Sequence, residues 1–227
     1  MENELLKMEN VSKSYLEDGG GDLLILRDIN LTLKKGEVVA ITGKSGCGKS
    51  TLLSVAALLS RRDNGKIYYS GLDVDQIPPK DLSALRNRKM GFVFQSSMLL
   101  EDFSALENVA MPLLIRGVGR KEAYSKAKEY LALVDIFDRM DHRPSRLSGG
   151  EKQRVAIARA LIGEAEVVFA DEPTGNLDEK NARIIEELLI STVKKAGRGL
   201  LLVTHNPLFA SKADRTCVLS EGVLHEE

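Results

Sequence analysis

Gly43-Lys44-Ser45-Gly46-Cys47-Gly48-Lys49-Ser50 limits what this chain can fold into more than any other stretch, because of what flanks it. Before it, Glu37 to Thr42 reads as a buried strand; after it, a helix is expected from about Lys49 to Leu59, with Gly65 as a breaker beyond. The eight residues fit G-x-x-x-x-G-K-[ST], whose glycines let successive backbone N–H groups converge on phosphate oxygens. A helix starting there adds the positive end of its dipole. In that arrangement Lys49 reaches the β- and γ-phosphates and the Ser50 hydroxyl ligates Mg²⁺. Gly43, Lys44, Ser45, Gly46, Cys47, Gly48, Lys49, Ser50 and Thr51 are the expected phosphate-side contacts. A glycine turn beside an unrelated lysine is the bland alternative, and it leaves the strand–loop–helix context unexplained.

The chain has 227 residues, 43% hydrophobic and 29% charged, enough for one domain with a sizeable core. A net charge of −1 gives no general electrostatic case for nucleic acid or an anionic lipid surface, and no nucleic-acid partner is expected. No apolar run approaches the roughly 18 to 20 residues that span a bilayer, and the acidic start at Met1 to Glu4 is unlike a signal peptide. Cys47 and Cys217 are too few for a disulfide framework, which fits a reducing compartment. These features describe a cytosolic α/β protein whose attachment to any membrane must come through a partner.

Leu24 to Leu26 and the alternating Ile29, Leu31 and Leu33 read as short strands of a meander, and Gly91 to Gln95 as another strand. From Ser97 to Arg146 strand-like runs are lacking, and Lys121 to Val134 carries helical spacing. Strand-helix alternation returns with Val167 to Ala170, a helix from about Glu179 to Lys195, and Leu200 to Thr204. The expected fold is α/β within one domain over 1–227. It has a mainly parallel sheet covered on both faces, an N-terminal antiparallel portion, and a helical lobe inserted at about 97–163.

Val167 to Ala170 ends in Asp171-Glu172, and the carboxyl end of a strand is where ligands of open α/β sheets sit. Asp171 is expected to hold Mg²⁺ through water, and Glu172 to polarise an attacking water. His205 follows another buried run, where a γ-phosphate contact competes with a purely structural role. Gln95 ends a strand and says little alone. Leu147-Ser148-Gly149-Gly150-Glu151 opens an apolar-periodic helix, a second candidate anion site. One nucleotide needs one phosphate loop, so this second site makes sense if it serves a nucleotide held by a neighbouring molecule.

With these segments in view, the chain resembles the ATP-binding cassette family, whose signature reads LSGGQ or LSGGE. The likeness runs nearly end to end: Tyr15 after Val-Ser-Lys, the phosphate loop, Gln95, the signature at Leu147 to Glu151, Asp171-Glu172, Asn176-Leu177-Asp178 and His205. The resemblance implies ATP and Mg²⁺ as ligands and a head-to-tail homodimer. It implies that Tyr15 stacks on adenine and that Gln95 senses Mg²⁺ and the attacking water. Ser148, Gly149 and Gly150 would cap the γ-phosphate held by the other copy's Lys49, with Asp178 at the dimer seam. Glu172, His205, Gln95 and Lys49 are the implied catalytic set, and Ser50, Gln95 and Asp171 the metal-side residues.

Leu99 to Ile115, His142 to Arg146 and Glu172 to Asp178 are similar to the lipoprotein-releasing group of these ATPases. That likeness implies integral membrane permease subunits as partners and a peripheral place on the cytoplasmic face of a bacterial inner membrane. Residues 103–115 could be lobe core, or could border a groove for a partner's short cytoplasmic helix. Ala57-Leu58-Leu59-Ser60-Arg61-Arg62-Asp63-Asn64-Gly65 departs from the relatives' usual Gly-Gly-Leu-Asp. Macrolide-export and peptide-resistance ATPases of the same group stay open. So do soluble cassette ATPases acting on DNA or ribosomes, although those carry long coiled-coil or zinc insertions, or two cassettes, absent from this sequence.

Overall fold

The computed structural model describes residues 3–16 and 20–227. Met1 and Glu2, half of the acidic start, lie outside the described residues. In chain order the strands are β1 (Glu4–Leu16), β2 (Asp22–Lys34), β3 (Val38–Thr42), β4 (Asn64–Tyr69), β5 (Leu72–Asp73), β6 (Met90–Phe94), β7 (Val167–Asp171), β8 (Gly199–Val203), β9 (Arg215–Ser220) and β10 (Val223–Glu226). The helices are α1 (Lys49–Ala56), α2 (Leu82–Lys89), α3 (Ala105–Ile115), α4 (Arg120–Leu133), α5 (Gly149–Ile162), α6 (Glu179–Lys195) and α7 (Pro207–Ala210).

One sheet has the order β10-β9-β3-β8-β7-β6 and is parallel from β9 to β6, with β10 antiparallel at its edge. The other is antiparallel, with the order β2-β1-β4-β5. Alternation along the central strands divides the core in two. Val38, Ala40, Val168, Ala170, Leu200 and Leu202 pack toward α3, α4, α5 and α6. Val39, Ile41, Val167, Phe169, Leu201 and Val203 pack the other way, toward α1 and the antiparallel sheet. Burial on both faces is why these strands are apolar throughout. Between β6 and β7 the chain is helical, and α5 packs on α3, α4 and β6.

Three local readings are refined. The two short strands expected between Leu24 and Leu33 are parts of one strand, β2, whose pairing with β1 shifts register several times. β1 carries no clear strand pattern in the sequence, because its inward residues are separated by Lys, Glu, Asn and Ser. α1 stops at Ala56, short of Leu59, because Leu58 turns into the left-handed region at φ 55°. Gly65 belongs to β4 and lies so close to β1 that an added Cβ would meet Asn10 O at 2.4 Å.

Candidate active site

The loop 43–50 joins the end of β3 to the first turn of α1. Gly43, Gly46 and Gly48 take φ values of 143°, 77° and 104°, where only glycine sits without strain. Space adds a second demand: an added Cβ would meet Leu219 O at 2.4 Å from Gly43 and Ile25 Cγ2 at 2.7 Å from Gly48. No side chain caps α1, so the N–H groups of its first turn are left for an anion. The nearly buried Lys49 ammonium donates to Gly43 O and Lys44 O at 2.9 Å each, bracing the loop from within.

A cleft of about 350 Å³ opens beside this loop, lined by Tyr15, Ile25, Ser45, Gly46, Gly48, Lys49, Ser50, Thr51, Asp171, Glu172 and Val203. The fold thus gathers residues from β1, the loop, α1 and the end of β7. Gly43, Lys44 and Cys47 complete the loop without lining the cleft. Tyr15 is half exposed there, with the Lys13 ammonium 5.1 Å from its ring centroid.

Asp171 Oδ1 is buried and has no hydrogen-bond partner among the described residues. Burial is the main influence holding this carboxyl above the ordinary range; the Ser50 hydroxyl opposes it, the Glu172 charge reinforces it, and Lys49 opposes it. An unpartnered buried carboxylate oxygen next to a hydroxyl is a hard-oxygen donor set, and it fits Mg²⁺. Glu172 takes φ 44°, and its N–H donates to Val203 O at 2.9 Å, which ties the end of β7 to β8. Glu172 Oε2 lies 2.8 Å from His205 Nδ1, pairing a mostly buried carboxylate with a largely exposed imidazole.

Gln95 follows β6 and does not line the cleft. Its side-chain nitrogen donates to Asn176 Oδ1 at 2.9 Å, and Asn176 Nδ2 donates back to Gln95 O at 3.3 Å. Asp178 caps α6, accepting from the Asn181 N–H at 3.1 Å, and is exposed.

The tip of α5 is a capping box: Ser148 Oγ accepts from Glu151 N–H at 3.4 Å, and Ser148 N–H donates to Glu151 Oε2 at 2.8 Å. The Ser148 backbone bond holds the Glu151 carboxyl below its usual range. Ser148 and Gly149 are exposed, and none of Ser148, Gly149 and Gly150 lines the cleft that holds Lys49. The structure therefore assembles the loop, Tyr15, Asp171, Glu172 and His205 in one place and keeps the signature tip out of it.

Two positioning residues escaped the sequence reading. Gln153 is buried and donates to Phe94 O at 2.9 Å, and Arg159 donates to Met98 O and Ser97 O at 2.7 Å each. Both tie α5 to the segment around Gln95. Polar side chains on the apolar face of a helix were the available signal. On the flank of the lobe, a largely apolar groove of about 490 Å³ includes Leu59, Phe92, Met98, Pro112, Ile115 and Arg159. Of the residues read as core or groove, Leu106, Val109, Ala110 and Leu113 are core and Ile115 is exposed on the groove. Leu59, from the departing segment, is half exposed there too. No helix among the described residues is long and apolar enough to cross a membrane.

The ABC transporter family profile matches residues 26–175. The lipoprotein-releasing system ATP-binding protein LolD of Paramagnetospirillum magneticum is 44% identical over 226 residues, covering 100% of both chains. Its namesake from Idiomarina loihiensis is 44% identical over 227 residues, covering 100% of this chain and 99% of that protein. Among solved structures, dimeric MJ0796 in a post-hydrolysis state with ADP and Pi matches with a TM-score of 0.89 and 36% identity, covering 98% of each chain. Another dimeric structure of MJ0796, a bacterial ABC transporter cassette, matches with a TM-score of 0.89 and 35% identity over the same shares. The phosphate loop, the acidic end of β7 and the separate glycine-rich tip of α5 therefore sit in a chain that belongs to the ABC transporter family, whose cassettes bind and hydrolyse ATP.

Proposed function

We propose that this chain hydrolyses ATP at sites shared by two copies, and that it drives release of lipoproteins from a bacterial inner membrane through integral membrane partners. The observation that carries the shared site is the separation just described. At the tip of α5 the capping box engages the Ser148 and Glu151 N–H groups and leaves those of Gly149 and Gly150 without an acceptor among the described residues, yet the tip does not line the cleft of its own Lys49. A second copy turned head to tail supplies it. Lipoprotein release is supported by relatives of that name at 44% identity over the whole length.

In this reading Tyr15 stacks on adenine with its apolar ring face. Gly43 to Thr51 hold the phosphates, and Ser50, Asp171 and Gln95 hold Mg²⁺, which when bound supplies positive charge against the phosphate oxygens. Water attacks the γ-phosphorus, its proton passes to Glu172, and the bond to the ADP oxygen breaks. His205, paired with Glu172, keeps that carboxylate aimed and contacts the γ-phosphate. ATP touches both copies only when they close, so it favours closure by its differential affinity. Loss of the bridging phosphate lets them reopen.

The apolar groove by Leu59, Phe92 and Ile115 receives a short amphipathic cytoplasmic helix of the membrane partner. It adjoins the Gln95 segment through Phe94, Met98 and Arg159, so a push there reaches the site. The chain then sits peripherally on the cytoplasmic face.

The test is reconstitution in proteoliposomes with the integral membrane proteins that copurify with this chain in mild detergent and an acylated lipoprotein. ATP-dependent lipoprotein release is expected. With Glu172→Gln, turnover should drop by about 10²- to 10⁴-fold, the usual worth of general-base help, with nucleotide affinity retained. ATP turnover without lipoprotein release would contradict the substrate, and near-normal turnover by the variant would contradict the role of Glu172.

A further inference from the structure

Gln95 ends in a primary amide, and only its oxygen can face a hard cation, so the amide must be held the right way round. The hydrogen bonds around Asn176 decide that orientation. Gln95 O is a carbonyl and can only accept; the group that meets it at 3.3 Å is therefore the Asn176 NH₂. That leaves Asn176 Oδ1 pointing the other way, where it can only accept, and the Gln95 NH₂ meets it at 2.9 Å. With its nitrogen so engaged, Gln95 Oε1 is the free end, and no described residue donates to it.

The platform that carries Asn176 is braced independently of Gln95. Gly175 N–H donates to Glu172 O at 3.0 Å and Leu177 N–H to Thr174 O at 3.0 Å. Thr174 is buried, and Asp178 starts α6 as its cap. Glycine at 175 lets the Gln95 amide approach: an added Cβ would meet Gln95 Nε2 at 2.9 Å and Cδ at 3.1 Å. Since Gly175 does not use a positive φ, the reason is space, not backbone conformation. Beyond Asn176 the same segment abuts the signature tip, with Leu177 Cδ2 3.2 Å from a Cβ placed on Gly149.

We propose that Asn176 is a positioning residue that fixes the Gln95 amide with its oxygen free for the nucleotide-bound cation. Its role depends on Gln95 contacting that cation, as read above. The experiment measures binding of trinitrophenyl-ATP to the full-length chain while magnesium chloride is titrated, with an EDTA control. In wild type, magnesium should tighten binding. Asn176→Ala should raise the magnesium concentration for half-maximal tightening by roughly 10-fold, the low end for loss of an outer-shell partner, leaving the EDTA affinity and Tm unchanged. Gly175→Ala should shift the midpoint the same way by crowding the amide. In a Gln95→Ala background, Asn176→Ala should add nothing, because it acts through Gln95. If Gln95→Ala shifts the midpoint and Asn176→Ala does not, the tether is wrong while Gln95 keeps its role. If neither shifts it, both roles fall. An equal shift by Asn176→Ala with and without Gln95 would also overturn the proposal.

Discussion

At the scale of single residues, the site rests on backbone conformations that most side chains cannot adopt. Gly43 is the sharpest case, since φ 143° and a carbonyl 2.4 Å from any added Cβ exclude even alanine without movement. Gly43→Ala is expected to cost roughly 1–3 kcal/mol of stability, the usual worth of a strained position, and to weaken ATP binding. Chemical denaturation read alongside nucleotide titration checks both, and an unchanged midpoint would refute the packing account of this loop. The phosphate loop, Asp171 and Glu172 were legible in the sequence because each stands where an apolar strand ends. The Gln95–Asn176 bond was not, because its partners are 81 positions apart and two amides carry no pairing signal. The Glu172–His205 contact was equally hidden, as the two residues follow different strands and meet only when β7 and β8 pair.

Among the elements, two of the lobe helices, α3 and α5, start on reciprocal caps, whereas α4 starts at Gly119 without a side-chain cap. Ser104 and Glu107 form a capping box on α3, as Ser148 and Glu151 do on α5. Ser104→Ala should cost about 1 kcal/mol. The backbone N–H of Ser104 is the main cause that holds the Glu107 carboxyl below its usual range. A lowered folded value means the unfolded chain takes up the proton more readily. This contribution is therefore complete above the unfolded value of about 4.3, and is lost as pH falls through the lowered folded one. Urea midpoints compared between about pH 6 and about pH 3.5 should fall less steeply for Glu107→Gln than for wild type. Parallel pH profiles would remove the cap from the acid response. Ser-x-x-Glu was present in the sequence at both helix starts, whereas the end of α1 was not readable there. Leu58 closes that helix in a conformation that leucine seldom takes, and it is held by packing that no local pattern announces.

For the molecule as a whole, the apolar runs of β3, β7 and β8 and the helical spacing of α4 and α6 made the layered α/β architecture predictable. The antiparallel sheet was harder, since β1 is polar along much of its length and finds its place only by pairing with β2 and β4. Separation of the signature tip from the Lys49 cleft is a property of the folded chain, and it is the basis for assigning one ATP to two copies. Mixing two crippled chains tests this most directly. Lys49→Ala spoils the phosphate loop and keeps the signature; Ser148→Arg crowds the signature and keeps the loop. A dimer of one with the other contains one wholly intact shared site and one doubly damaged site. Each variant alone, with membrane partners supplied, should hydrolyse ATP at background rate, and the mixture should hydrolyse it well above the sum of the two. A mixture no faster than that sum would contradict the shared site.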